Sequence, residues 1–260
     1  MKNNKSLGQH WLKDRAILDE IAELTIGNAP DSPLEAPENR LCLEIGPGLG
    51  TLTSSLLRVF PRVLAIEFDK NLAHNLPKSF PGKDLTVMNE DFLKFDLASV
   101  RPPYVVAGNI PYYITSPIIM KLLNAENKPD RIVLLIQKEV AERAVAGPGK
   151  HTMLSLFVQN LANASLGPVV TKDLFTPPPK VDSQVLILDP KSTPVISDKA
   201  LKLASCAFSA PRKKLIKNLS SFYPVDRLKE ACLELEISLD ARPSDPALET
   251  WQNLYNLLQK

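Results

Sequence analysis

Short apolar runs recur along most of the chain: Leu41–Ile45, Val63–Ile66, Leu85–Met88, Tyr104–Ala107, Ile132–Ile136 and Val185–Leu188. They are rich in Val, Ile and Leu and mostly continuous rather than alternating, as strands covered on both faces are. Longer spacers with helix-like apolar spacing separate them. The pattern predicts βαβ units with right-handed crossovers, and so an α/β, doubly wound, mostly parallel, Rossmann-like sheet. An opening helix is expected over about Arg15–Thr25. Gly27–Asn39, with three prolines and no periodicity, reads as a loop. After Leu188 the pattern changes. Asp189–Asp198 carries two prolines and reads as a linker. Beyond it the spacing is helical, as in Leu201/Ala204/Phe208, Leu215/Leu219 and Leu228/Cys232/Leu235. The expected division is an α/β domain over 1–190 and a small all-helical domain over 195–260.

Composition bounds the class. The chain has 260 residues, 44% hydrophobic and 23% charged, enough for a core without staples and unlike a disordered chain. No apolar run approaches the about 20 residues that span a bilayer, and the polar, basic opening lacks the apolar centre of a secretion signal. Cys42, Cys206 and Cys232 are scattered, with no metal-ligand spacing. A soluble, cytoplasmic, metal-free protein with reduced thiols is expected. Net charge is only +2, but Lys199, Lys202, Arg212, Lys213, Lys214 and Lys217 lie in one window without an acid. Such a surface attracts phosphate backbone, although a solvated helix face looks the same in sequence. His74 and His151 read as surface or loop residues. Trp11 carries no chemical signal, and Trp251 reads as part of the packed face of the last helix.

Candidate chemistry gathers at strand ends. Glu44-Ile-Gly46-Pro47-Gly48-Leu-Gly50-Thr51 is a glycine turn between a strand and a helix, of the form ExGxGxG rather than GxGxxG. Glycines let the backbone approach a ligand closely. The Glu44 carboxylate is a poor neighbour for a pyrophosphate and a good one for an ammonium group, which favours S-adenosylmethionine over a nicotinamide dinucleotide. The next strand ends in Glu67, 21 residues after Gly46, where an acid can accept from both ribose hydroxyls. Asp91 after the third strand can accept from an adenine amino group, and Phe92 can cover its ring.

The fourth strand runs into Asn109-Ile110-Pro111-Tyr112. An exocyclic adenine amine is a weak nucleophile because its lone pair is delocalised into the ring. The Asn109 side-chain oxygen and the Ile110 carbonyl can accept its two N–H bonds, with Pro111 fixing the turn. Tyr112 offers a stacking face for a flipped base. Positioning and electrostatics suffice for such a methyl transfer. Phe175, in Phe-Thr-Pro-Pro-Pro-Lys180, is expected to form a second wall of the base pocket.

In this order the motifs resemble the ribosomal RNA small-subunit adenine N6,N6-dimethyltransferase family, whose relatives include erythromycin-resistance methyltransferases and mitochondrial transcription factor B. Lys5–Leu12 resembles the family's GQNFL segment. Phe175–Ser183 resembles its late substrate loop, and Phe208–Leu215 with Arg242-Pro243 its helical domain. The resemblance implies a class I methyltransferase fold and transfer of two methyl groups to each of two adjacent adenosines in a small-subunit (16S) rRNA hairpin. The donor implied is S-adenosylmethionine, and the substrate an immature small-subunit (30S) particle. Cofactor contacts are expected from Gln9, His10, Leu12, Glu44, Gly46, Gly48, Glu67, Asp91, Phe92 and Asn109. Arg212, Lys213, Lys214 and Lys217 are expected on RNA phosphates, and the enzyme to act as a monomer. The chain departs from the family pattern at His10-Trp11, where Asn-Phe is usual, at Ile110, where Leu is usual, and after Pro148-Gly149, where Tyr-Gly is common. Other readings of the same motifs are a large-subunit resistance-type methyltransferase, a catalytically silent RNA-binding assembly or transcription factor, and a nicotinamide oxidoreductase. The absent third-position glycine argues against the last.

Overall fold

The structure is a computed structural model and describes residues 9–27 and 39–259. Most of the Gly27–Asn39 loop and the opening Lys5–Gly8 therefore lie outside the described residues. The described residues form two compact units, one running to Ala141 and resuming over Ala164–Pro190, the other comprising Glu142–Asn163 and the chain from Lys191.

In the first unit, β1 (Trp11–Leu12) leads into α1 (Arg15–Leu24), capped by the Asp14 carboxylate accepting from Ile17 N–H. Then follow β2 (Leu41–Ile45), α2 (Thr51–Val59), β3 (Arg62–Glu67), α3 (Lys70–Asn75), β4 (Asp84–Asn89), β5 (Tyr104–Asn109), α4 (Thr115–Leu123), β6 (Arg131–Gln137) and α5 (Lys138–Ala144). After α6 (Met153–Leu161) come β7 (Ala162–Val170), β8 (Phe175–Thr176) and β9 (Ser183–Pro190). The main sheet has the order β4-β3-β2-β5-β6-β9-β7. The five strands from β4 to β6 run parallel, and β9 runs antiparallel to β6. All six apolar runs are strands. Their side chains, with those of α1 and α2, form a core that includes Cys42, Val63, Val105, Val133 and Val185. Buried Arg131 grips both oxygens of Asp189 (2.7 and 3.0 Å), tying the start of β6 to the end of β9.

Strand β7 has no counterpart in the apolar pattern. It is an edge strand, largely exposed, and contains Gly167 and Pro168. Edge strands carry such residues because only one face and one ladder need partners. Gly167 is there for space: a Cβ would sit 3.0 Å from the Val185 Cβ. The two-residue strands β1 and β8 pair antiparallel, Leu12 against Phe175.

The second unit is helical: α6, then α7 (Asp198–Ala207), α8 (Leu215–Leu219), α9 (Val225–Glu234) and α10 (Leu248–Gln259). Leu156 of α6 packs in one cluster with Leu203, Leu215, Leu228 and Trp251. For that reason α6 joins this unit, ahead of the boundary at 195 that the sequence suggests. The linker is short and pinned: Asp189 and Pro190 still belong to β9, and Ile196 N–H donates to the Asn160 side chain (2.7 Å). His151 lies in a loop but is buried rather than on the surface, its Nδ1 3.2 Å from Ser155 Oγ.

Candidate active site

The carboxyl ends of β2, β3, β4 and β5 and the segment before β1 enclose one cavity of about 360 Å³. Ligands in open α/β sheets bind at such ends. The glycine turn forms its floor. Gly48 has φ +56°, and a Cβ there would meet Trp11 Nε1 at 3.1 Å; at Gly50, φ +82°, it would meet Leu76 Cδ1 at 2.6 Å. Both positions therefore require glycine.

Two acids face this floor in different states. Glu67, at the end of β3, accepts from Gly48 N–H (2.9 Å) through Oε2 and from Asp69 N–H (2.8 Å) through Oε1. Burial raises its pKa, and these two backbone donors oppose the rise. It is thus locked onto the turn, with one lone pair on each oxygen still to give. Glu44 is 1% exposed and its Oε2 has no hydrogen-bond partner. Burial pushes its pKa up to about 8, with Thr53 acting against the rise and Glu67 adding to it. A buried, unpartnered carboxyl oxygen on a cavity wall suits a cationic ligand group, whose arrival would restore the charge it has lost.

Beyond β4, Asp91 Oδ1 is taken by Leu93 N–H (2.9 Å), and Phe92 is buried with its ring stacked on Phe95 (6.4 Å) and Lys121 Nζ 5.7 Å from its centroid. Both residues line the cavity. At the end of β5, Asn109 Nδ2 donates to the His10 carbonyl (3.0 Å). Asn109 also lines the cavity, and with Nδ2 engaged its Oδ1 is the amide's acceptor. Pro111 closes a turn in which Ile114 N–H donates to the Pro111 carbonyl (3.2 Å). Tyr112 is held by a 2.8 Å bond between its hydroxyl and Ser183 Oγ, and burial raises its pKa. The His10 ring lies nearly parallel to Tyr112, centroids 6.0 Å apart at 20°.

Of the residues expected here from sequence, Gln9, His10, Glu44, Gly46, Gly48, Glu67, Asp91, Phe92, Asn109, Ile110, Pro111 and Tyr112 share the cavity wall. Leu12 and Phe175 do not. They pair across β1 and β8 and bury their side chains in the core, 0% and 3% exposed. Phe175, expected as a second wall of the base pocket, thus lies in the core and not in the lining of this cavity. Three aromatic residues were missed. Trp11 covers the glycine turn, and Phe68 and Tyr113 line the cavity while 61% and 64% exposed. Their signal is adjacency: each directly follows a residue that sequence places in the site.

In the helical unit, Arg212, Lys213, Lys214 and Lys217 are all exposed, at the turn before α8 and on it. Lys214 is not free, because its ammonium pairs with Asp240. Among the described residues no three His, Cys, Asp or Glu side chains converge as metal ligands, and no helix is long and apolar enough to cross a membrane.

Comparison with known proteins agrees with this geometry. Residues 1–260 match the family described as ribosomal RNA adenine dimethylase. The ribosomal RNA small subunit methyltransferase A of Nostoc sp. PCC 7120 is 40% identical over 99% of this chain and 98% of its own. That of Gloeobacter violaceus is 39% identical over 98% and 93%. The crystal structure of the 23S rRNA methyltransferase ErmE superposes with a TM-score of 0.76 at 27% identity, over 96% of this chain and all of that one. A dimethyladenosine transferase from Plasmodium falciparum gives 0.77 at 26% identity, over 94% and 95%. The strand-end acids, the Asn109–Tyr112 turn and these full-length matches together place the chain in the ribosomal RNA adenine dimethylase family.

Proposed function

We propose that this protein dimethylates the N6 amines of two adjacent adenosines in a small-subunit rRNA hairpin, using S-adenosylmethionine, on an immature small-subunit particle in the cytoplasm. The observation that carries the reading is the Asn109 amide, whose nitrogen is tied to the His10 carbonyl so that its oxygen is the group left for a substrate amine.

The residues present fit the cofactor. Glu44 supplies a buried carboxyl whose Oε2 is still without a partner, a fit for an ammonium group. Glu67 retains acceptor capacity for ribose hydroxyls, Asp91 is an acceptor for the adenine amine, and Phe92 gives that ring an apolar neighbour. When bound, the cofactor supplies an electrophilic methyl group on a sulfonium.

The chain's own work is positioning. Asn109 Oδ1 and the Ile110 carbonyl accept the two N–H bonds of the target amine. Accepting them draws the lone pair out of conjugation with the ring and aims it at the methyl carbon. Tyr112, fixed by Ser183, presents a flat surface for the flipped base. The amine proton leaves to solvent after transfer, so no strong base is needed. Arg212, Lys213 and Lys217 hold phosphates of the hairpin and position it without reading its sequence.

Support for the small-subunit substrate comes from the full-length likeness to relatives named for that subunit. The likeness to ErmE, named for 23S rRNA, supports the large-subunit alternative less, at lower identity. The test is transfer of labelled methyl to ribosomal particles that lack the modification. Label in small-subunit RNA is expected, and label confined to large-subunit RNA overturns the proposal.

A further inference from the structure

Residue 10 makes three contacts of different kinds on the substrate side of the cavity. Its ring nitrogen Nδ1 lies 2.8 Å from the Pro177 carbonyl. A carbonyl only accepts, so Nδ1 carries the proton and the ring is pinned in one orientation. Its ring plane lies 20° from that of Tyr112 at 6.0 Å, within the range of a stacked pair. Its own carbonyl accepts from Asn109 Nδ2 (3.0 Å). The next residue, Trp11, pairs with Thr176 in the small β1–β8 sheet, so the chain carrying His10 is anchored on its far side as well.

Each contact bears on a residue that the proposed reaction uses. Tyr112 has its hydroxyl held by Ser183 and one side flanked by His10. Two supports on different parts of one side chain fix its plane, which either alone would leave free to tilt. The Nδ2 bond to the His10 carbonyl favours the amide orientation in which Asn109 presents its oxygen to an amine. If the amide turned over, it would set a donor against a donor. The His10 carbonyl prevents that turn, and the Pro177 bond holds the carbonyl in place.

We propose that His10 is a positioning residue for the substrate base. Pinned to Pro177, it fixes the plane of Tyr112 through its ring and the orientation of the Asn109 amide through its carbonyl. This inference rests on the adenine-methylating reading above and adds to it a part for a residue that otherwise counts only as a neighbour of the cofactor.

The test uses the full-length chain and an undermethylated small-subunit particle, and reads two quantities. One is the S-adenosylmethionine dissociation constant by calorimetry. The other is the single-turnover rate at saturating cofactor. His10→Ala is expected to slow the single turnover roughly tenfold at a cofactor concentration well above its own dissociation constant, a loss that more cofactor does not restore. His10→Phe keeps a flat ring and is expected to recover at least half of that loss on a logarithmic scale. It also guards against misreading a folding defect, as does the unfolding midpoint of each variant. The decisive comparison is a double-mutant cycle with Tyr112→Ala. If His10 acts through Tyr112, adding His10→Ala to Tyr112→Ala costs less than about threefold further. Additive losses, or a single-turnover rate that returns to the wild-type value once cofactor is raised, overturn the proposal. A wild-type protein that leaves the small-subunit particle unmethylated instead defeats the functional reading itself. An active wild type with an additive cycle defeats only the part given to His10.

Discussion

The acids at the strand ends and the cations of the helical unit carry charge under opposite conditions. Glu44 is 1% exposed, unpartnered at Oε2 and shifted to a pKa of about 8; Glu67 is 5% exposed with both oxygens held by backbone N–H groups. Arg212, Lys213 and Lys217 stand exposed above a well-packed helical core, and Lys214 shares its charge with Asp240. A buried charge is set by its immediate neighbours, is little screened by salt, and discriminates one ligand group from another. An exposed charge acts at a distance, is screened, and adds to its neighbours almost independently. The first arrangement suits a small molecule that must be held in one pose, and the second a polyanion that must be brought near and kept.

That contrast orders the expected effects of substitution. The largest belongs to Asn109, whose Oδ1 is a preorganised acceptor. Asn109→Ala is expected to lower the single-turnover methylation rate by roughly 10²–10³-fold, with the cofactor dissociation constant changed far less. A loss under about tenfold in rapid-quench measurements would remove Asn109 from the reaction.

Glu44 comes next. Its pKa in the folded protein, about 8, lies above its unfolded value, near the ordinary 4.5. Its contribution to stability is therefore complete below pH 4.5 and is lost as pH rises through 8, with a slope of up to about 1.4 kcal/mol per pH unit between those values. Glu44→Gln removes that share of the slope in denaturant titrations of the cofactor-free protein at several pH values. The same shift means that a cationic cofactor expels a proton. Near pH 7, binding is expected to release about one proton, visible as a dependence of the calorimetric heat on buffer ionisation enthalpy. Glu44→Gln abolishes the release and weakens binding roughly 30-fold, about 2 kcal/mol. Heat that is independent of the buffer contradicts a neutral Glu44.

The exposed cations give the smallest single effects. Lys213→Gln and Lys217→Gln are each expected to weaken binding to the small-subunit hairpin a few-fold and to reduce the slope of log affinity against log salt by about one unit. Lys214→Gln changes it less, because part of that charge already rests on Asp240. A slope unaltered in the Lys213→Gln/Lys217→Gln double variant removes these residues from the RNA interface.

The two regions also differ in how readable they are in sequence. Five of the six strands show as apolar runs because both their faces are covered, while β4, at the opposite edge from β7, shows as a run although its residues are exposed or half-buried; the acids show because each lies within or just after such a run. Strand β7 did not show, since an exposed edge strand with Gly167 and Pro168 has no reason to be apolar. Phe175 reads as a pocket aromatic until its pairing with Leu12 turns it into the core, and that pairing joins chain segments far apart. Trp11 hides for the same reason: its place above Gly48 depends on how the N-terminal segment crosses the sheet end. On the helical side, the basic window is plain in sequence, whereas the Lys214–Asp240 pair follows from packing that brings the turn before α8 beside the loop after α9. Periodicity reports burial along a segment; it does not report which distant segment does the burying.

The central claim is that the turn after β5 grips one exocyclic amine by two acceptors. The most direct measurement is mass spectrometry of nucleosides from small-subunit particles methylated by the wild-type protein. The expected product is N6,N6-dimethyladenosine at two adjacent positions, formed by Asn109→Ala only at the roughly 10²–10³-fold lower rate. Methyl groups on a ring nitrogen, a ring carbon or a ribose oxygen would contradict it.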